Sequence, residues 1–203
     1  MAENGVGSGI EAVVIGGSAG SLNVILNTLP LLTRQLKLSI IIVLHRKSSY
    51  DSSLANLLGG KTTLPVKEAD EKEPILPGKI YLAPADYHLL IEKDKTFSLD
   101  YSEKIHYSRP SLDATFQTAA EVYRSGLAGL LLSGANSDGA EGLRSVKANG
   151  GLTAIQDPED AEVSYMPDQA LSKMKPDYLL SAKEIAGFLN DLSQARSTRN
   201  KGS

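Results

Sequence analysis

The segment Gly16-Gly17-Ser18-Ala19-Gly20 sets one serine among small residues, between an apolar run and a stretch with helical spacing. It matches Gly-x-Ser-x-Gly, the nucleophile elbow, whose sharp strand-to-helix turn holds a serine hydroxyl clear of the backbone. The free N–H groups that open the next helix point at the same place. They can stabilise an oxyanion, with the Ala19 N–H the first candidate. Two other readings compete. In one, the serine of a glycine-rich turn only caps the helix. The other is a dinucleotide turn, which needs Gly-x-Gly-x-x-Gly and an acidic residue about 20 positions on. Counted from Gly16, its second and third glycine positions hold Ser18 and Ser21, and the next strand ends at Leu44-His45, so that fingerprint fails.

A serine nucleophile needs a base within hydrogen-bond reach and a group that orients the base. The chain has three histidines, His45, His88 and His106. His45 follows the predicted second strand. In a parallel sheet the C-terminal ends of neighbouring strands share one crevice, which puts His45 on the edge that carries Ser18. His88 falls in or near a predicted hairpin and His106 in a polar loop; either could line a substrate groove. Asp138 is the candidate carboxylate, in Ser133-Gly134-Ala135-Asn136-Ser137-Asp138-Gly139 after another predicted strand. It also suits the N-cap of the helix that follows. Asp157, after the next strand, is its rival, and Asp113 lies inside a predicted helix. The order Ser18, His45, Asp138 differs from the Ser, acid, His order of α/β-hydrolases. Triads recur on unrelated scaffolds, so the chemistry survives that difference.

The elements that must position these groups alternate. Continuous apolar runs predict buried strands at 12–15, 39–44, 127–132 and 152–155, with a short one at 178–180. Helical spacing covers 21–33, 52–58, 111–123, 139–148, 167–173 and 182–192. Pro110 suits the first turn of the helix at 111–123, with Ser108 or Ser111 as its cap. Between the halves, 79–83 is a short apolar run, and 89–91 and 97–99 flank a turn that predicts a hairpin. The expected fold is α/β: a doubly wound, mainly parallel sheet with flanking helices and a small antiparallel β-hairpin. One domain spans 11–193, with disordered ends at 1–10 and 194–203. Among 203 residues there is no cysteine, which excludes disulfides, thiolate catalysis and Cys-based zinc sites. A formal charge of −3 without a basic stripe argues against nucleic acid as a partner. The N-terminus has no signal-peptide pattern and no apolar run is long enough to span a bilayer, so a cytoplasmic protein without membrane insertion is expected.

Several motifs together resemble the catalytic domain of the chemotaxis protein-glutamate methylesterases, the CheB family. They are Val14-Ile15-Gly16-Gly17-Ser18-Ala19-Gly20, Ile42-Val43-Leu44-His45, Pro77-Gly78-Lys79-Ile80-Tyr81-Leu82-Ala83-Pro84 with His88, Arg109-Pro110-Ser111-Leu112-Asp113, Leu132 to Ala140, Gln156-Asp157 and Met166-Pro167. The resemblance implies hydrolysis of glutamate γ-methyl esters on chemoreceptors, with release of methanol, and in some members deamidation of glutamines. It implies a triad of Ser18, His45 and Asp138, with the Ala135 N–H joining that of Ala19 as an oxyanion donor. It implies no metal and no organic cofactor. The partners it implies are a methylated chemoreceptor or other signalling protein, and a sensor kinase or separate regulator. The family's receiver domain is missing from this chain, so no phosphorylation switch is expected in cis.

The chain departs from the family pattern in three places. Gly16-Gly17-Ser18-Ala19-Gly20-Ser21 stands for the usual Gly-Ala-Ser-Thr-Gly-Gly. Ala135 and Asn136 stand for Met and Gly in the usual Thr-Gly-Met-Gly-x-Asp-Gly-Ala. Arg46 follows the histidine where Met is common. These changes alter the pocket rim and leave three alternatives to receptor hydrolysis: a non-catalytic signalling module on the same fold, a nucleotide-binding protein, and an esterase of small molecules.

Overall fold

The computed structural model describes residues 9–46 and 53–199. Expectations that fall on 1–8, 47–52 and 200–203 lie outside the described residues. In chain order the elements are β1 (Ala12–Gly17), α1 (Ser21–Thr28), β2 (Ser39–Leu44), α2 (Ser53–Gly59), β3 (Val66–Glu68), β4 (Ile80–Leu82), β5 (His88–Ile91), β6 (Phe97–Asp100), α3 (Leu112–Tyr123), β7 (Leu127–Leu131), α4 (Ala140–Ala148), β8 (Leu152–Gln156), α5 (Tyr165–Lys173), β9 (Tyr178–Leu180) and α6 (Ile185–Arg199). Ile10 is buried and α6 runs to Arg199, both beyond the expected 11–193 span.

Seven strands form one sheet in the order β3-β4-β2-β1-β7-β8-β9, and every pairing in it is parallel. β5 and β6 form a separate antiparallel hairpin. β1 and β2 are buried at every position, because helices cover both faces; that is why they read as unbroken apolar runs. Alternate residues point to opposite faces. Val13, Ile15, Ile40 and Ile42 pack with Ile25 of α1 and with Leu189 and Leu192 of α6. Val14, Ile41 and Val43 pack with Phe116 of α3, Leu143 of α4 and Phe97 of the hairpin. The doubly wound architecture with its hairpin is therefore as expected.

Three local features differ from expectation. The helix expected over 21–33 ends at Thr28 and tightens into a 3-10 turn at Leu29–Leu31, because Pro30 has no N–H to continue the α-helical ladder. Pro110 precedes the cap of α3 instead of entering its first turn; Ser111 is the N-cap and its Oγ accepts the Ala114 N–H at 3.3 Å. β3 was not expected at all. It is three residues, Val-Lys-Glu, at the sheet edge, too short and polar to show a period.

β1 is followed by β2 on one side and later by β7 on the other, so the strand order reverses between β1 and β7. Ligand crevices of open α/β sheets lie at such a reversal, beyond the C-terminal strand ends. Among the described residues, no helix is long and apolar enough to cross a membrane.

Candidate active site

The parallel register pairs Gly17 with Leu44 at the ends of β1 and β2. Ser18 and His45 are the next residues on each strand, on backbones about 4.8 Å apart. The His45 N–H donates to the Gly17 carbonyl at 3.2 Å, which fixes the exit of β2 against that of β1. β7 is tied in from the other side: the Leu132 N–H donates to Gly16 O at 2.8 Å and the Ser18 N–H to Ser133 O at 2.9 Å. The elbow turns at Gly20, whose φ of +82° is cheap only for glycine. Ser21 lies buried beneath, and its hydroxyl donates to Ser18 O at 2.5 Å. Gly134 closes the opposite wall. A Cβ there would stand 3.1 Å from Ser18 Cβ and 2.5 Å from Met166 Cε, so only glycine lets this loop approach the serine so closely.

His45 and Asp138 are in direct contact, Nε2 to Oδ2 at 2.7 Å. Asp138 is fully buried and accepts four hydrogen bonds. His45 Nε2 and the Leu112 N–H (2.7 Å) reach Oδ2; the Ser111 hydroxyl and the Asp113 N–H (both 3.0 Å) reach Oδ1. Its carboxylate thus caps the start of α3, not the α4 that follows it, where Gly139 occupies the N-cap position. Asp113 returns the arrangement: from the first turn of α3 its Oδ1 accepts the N–H groups of Gly139 (3.0 Å) and Gly142 (2.6 Å) at the start of α4. The two helices pack through exchanged carboxylates, each satisfying N–H groups that an α-helix leaves without partners.

Burial acts to raise the pKa of both acids, and their surroundings separate them. At Asp138 the hydrogen bonds from His45, Asp113 and Leu112 outweigh burial and hold the carboxyl below the usual range. At Asp113 burial, with the Asp138 charge adding to it, outweighs the Gly142 and Gly139 N–H groups and pushes the carboxyl up. Asp138 is therefore the acid that stays ionised, as a group facing an imidazole must.

The other His45 nitrogen is also engaged. Asn136 Nδ2 lies 3.3 Å from Nδ1, while Asn136 Oδ1 accepts the Asp138 N–H at 3.1 Å. Oδ1 is fixed by a backbone donor, so an NH2 group faces the ring. His45 then accepts at Nδ1 and carries its proton on Nε2, toward Asp138. The Ser18 hydroxyl has no hydrogen-bond partner among the described residues. The N–H groups of Ala19 and Ala135 likewise have none, and both residues are exposed.

The remaining candidates sit elsewhere. His88 is buried, with Nε2 2.9 Å from Glu103 O and Nδ1 accepting the Ser111 N–H at 3.1 Å; it supports the cap of α3. His106 is exposed and lies 3.3 Å from Asp113. Asp157 shapes its own turn by accepting the Glu159 N–H at 3.0 Å and makes no contact with His45. His106, Asp113 and Asp138 bring ligand-type atoms within 4.8 Å of one another; both Asp138 oxygens and Asp113 Oδ1 are committed to the helix N–H groups described above, and Asp113 Oδ2 faces His106.

Beside His45 opens a cleft of about 340 Å³ lined also by Arg46, Asp86, Lys104, Tyr107 and Arg109. Arg46 pairs with Glu68 and donates to Ala83 O at 3.3 Å. Arg109 donates to the carbonyls of Tyr101 and Ser102, and its Cζ lies 3.8 Å from the Tyr101 ring centroid. The lining is net cationic and its rim carries the exposed ring of Tyr107.

Sequence reasoning missed the roles of Ser133 and Asn136, and foresaw Ser111 as the cap of α3 but not as a donor to Asp138. The Ser133 hydroxyl lies 2.7 Å from Ala19 O and accepts the Val163 N–H at 2.9 Å, which ties the elbow to the loop before α5. Its own N–H donates to Gln156 Oε1 at 2.9 Å. Gln156 stood in a recognised motif, but nothing in the sequence pointed to its partner.

A doubly wound parallel sheet with a serine, a histidine and a buried aspartate gathered at its switch point defines a hydrolase-type α/β scaffold. Comparison with known proteins gives the family: the CheB methylesterase profile matches residues 13–189, and the chain belongs to that family. It is 47% identical over 184 residues to a putative protein-glutamate methylesterase/protein-glutamine glutaminase of Leptospira interrogans, covering 91% of this chain and 95% of that protein. It is 38% identical to a protein-glutamate methylesterase/protein-glutamine glutaminase of Methanospirillum hungatei, covering 92% of this chain and 53% of that one. The chain thus spans nearly all of the first relative and about half of the second. The crystal structure of the Thermotoga maritima CheB methylesterase catalytic domain superposes with a TM-score of 0.86 at 35% identity, covering 90% of this chain and 98% of that one.

Proposed function

We propose that this chain is a protein-glutamate methylesterase in which Ser18 is the nucleophile, His45 the general base and Asp138 the group that orients it. The observation that carries the reading is the 2.7 Å contact between His45 Nε2 and a fully buried Asp138, at the strand tips that also carry Ser18. Because Nε2 is committed to Asp138, Nδ1 is the nitrogen that takes the Ser18 proton. The Ser18 oxygen attacks the ester carbonyl, and the Ala19 and Ala135 N–H groups stabilise the oxyanion. The imidazolium, held by the Asp138 charge, returns its proton to the departing methoxide, which leaves as methanol. Water then attacks the acyl-enzyme with His45 again as base, freeing the glutamate carboxylate and restoring Ser18. A glutamine side chain would follow the same path with ammonia leaving.

The cationic cleft beside His45 favours an acidic protein segment around the ester, consistent with a methylated chemoreceptor as substrate. The test is hydrolysis of two peptides that differ only in a glutamyl γ-methyl ester or a glutamine at the reacting position, read as methanol and ammonia release. The reading expects methanol from the first at a rate well above that for a small neutral ester. Faster turnover of the small ester would favour a small-molecule esterase, and no release from either would favour a binding module.

A further inference from the structure

We propose that Asn136 is a latch on the general base: its carboxamide caps His45 Nδ1 in the resting protein and must swing off the ring before Ser18 can be deprotonated. This rests on the Ser18–His45 reading above. The geometry is closed on three sides. Asn136 Oδ1 is held by the Asp138 N–H at 3.1 Å, so the NH2 group faces the ring. Nδ2 lies 3.3 Å from His45 Nδ1 and 3.3 Å from Ser108 Oγ, one amide between two acceptors. Nε2 is taken by Asp138 at 2.7 Å, so Nδ1 is the only base nitrogen left.

An unprotonated imidazole nitrogen has one in-plane lone pair and accepts one well-aligned hydrogen. Asn136 and the Ser18 hydroxyl therefore compete for it, and here Asn136 holds it. Both Nδ2 contacts are longer than the usual 2.7–3.2 Å for N–H donors, roughly the range of weak hydrogen bonds; the two amide hydrogens serve Nδ1 and Ser108 Oγ at once, and the Ser108 contact steadies the group over the ring. Ser108 and His45 both line the same cleft, so a substrate segment entering it touches both partners of the amide. Asn136 is a positioning residue: it acts on the reacting proton through His45. Glycine at this position, as in the usual family motif, has no side chain to do this.

The test is the second-order rate at which a small fluorophosphonate labels Ser18, measured at one pH for the wild type, Asn136→Gly and Ser108→Ala. Freeing Nδ1 in Asn136→Gly should raise the rate roughly 3- to 10-fold, the weight of one neutral hydrogen bond released. Removing the second anchor in Ser108→Ala should raise it by a smaller factor, since the amide loses a partner that steadies it over Nδ1. Two gains in rate, the larger from removing the amide itself, are not what a loss of packing produces. Imidazole ¹⁵N spectra give a second readout: the His45 Nδ1 signal should move toward that of an unbonded nitrogen in Asn136→Gly while Nε2 keeps its proton. An unchanged or slower rate in Asn136→Gly with an unmoved Nδ1 signal overturns the latch and leaves the Ser18 assignment standing. If Asn136→Gly does not fold, an unchanged or slower rate in Ser108→Ala overturns it alone. Failure of wild-type Ser18 to label at all removes the latch together with the parent reading.

Discussion

Replacing Asp138 by asparagine separates the two roles that its carboxylate holds. An amide keeps one acceptor oxygen and gains two donors. With its NH2 turned toward Oδ2's partners it would face both His45 Nε2–H and the Leu112 N–H. Turned the other way it faces the Ser111 hydroxyl, which can rotate and accept, and the Asp113 N–H, which cannot. The second orientation is the cheaper. It leaves one buried N–H without a partner, about 1–3 kcal/mol, and removes a negative charge from the start of α3, about 0.3–2 kcal/mol. The expected loss of folding stability is about 2–4 kcal/mol, which a domain of ordinary stability survives. His45 keeps an oxygen partner but loses the charge that stabilises its imidazolium. The comparable change in a Ser-His-Asp enzyme lowers turnover about 10⁴-fold, close to 5 kcal/mol of barrier. Because the Asp138 pKa lies below its unfolded value, its contribution to stability is present above about pH 3.9 and is lost as pH falls through the folded pKa. The deficit of Asp138→Asn should therefore narrow in acid. Urea unfolding at neutral and acid pH, with methanol release from a methylated peptide, reads all three effects. A folded variant with activity within tenfold of wild type would refute the orienting role. Unchanged stability at neutral pH would refute the capping argument.

Asp113→Asn should act with the opposite sign. Its raised pKa means that its contribution to stability is complete below about pH 3.9 and lost as pH rises through the folded pKa. An amide can keep Oδ1 for Gly139 and Gly142, so the variant should gain on the wild type in urea midpoint from pH 4 to pH 7. Ser133→Ala should cost about 0.5–1.5 kcal/mol, since the Val163 N–H and the Ala19 carbonyl lose their shared hydroxyl; thermal or urea unfolding checks this. Lys104→Glu should raise KM for an acidic methylated peptide several-fold and leave kcat/KM for a small neutral ester unchanged, if the cleft reads charge around the ester.

Much of the scaffold was legible because β1 and β2 are buried on both faces, so that 12–15 and 40–44 read as apolar runs without a polar break, although β1 continues to Gly17. The parallel order followed from alternation, and the parallel order alone brought Ser18 and His45 to one edge. β3 was not legible, since an edge strand of three residues that are all half-buried carries no pattern. Asp138 stands out in the sequence as a carboxylate at a strand end, but the helix it caps does not, because capping in sequence is a local idea and points to the helix that follows it. Its partners Ser111, Leu112 and Asp113 lie 25–27 residues away, and only the packing of α3 on α4 brings them together. Asp113 looked unpromising inside a helix for the same reason. Asn136 appeared only as a departure from a motif; its bond to His45 depends on a loop conformation that spacing does not encode.

The central claim is that an ordinary serine hydroxyl becomes reactive at the meeting of β1, β2 and β7. Methanol release from a methylated receptor segment by Ser18→Ala, beside wild type and with folding checked by unfolding curves, tests it most directly. The account predicts a loss of at least about three powers of ten in turnover with the fold retained. Hydrolysis at an undiminished rate by folded Ser18→Ala would contradict it.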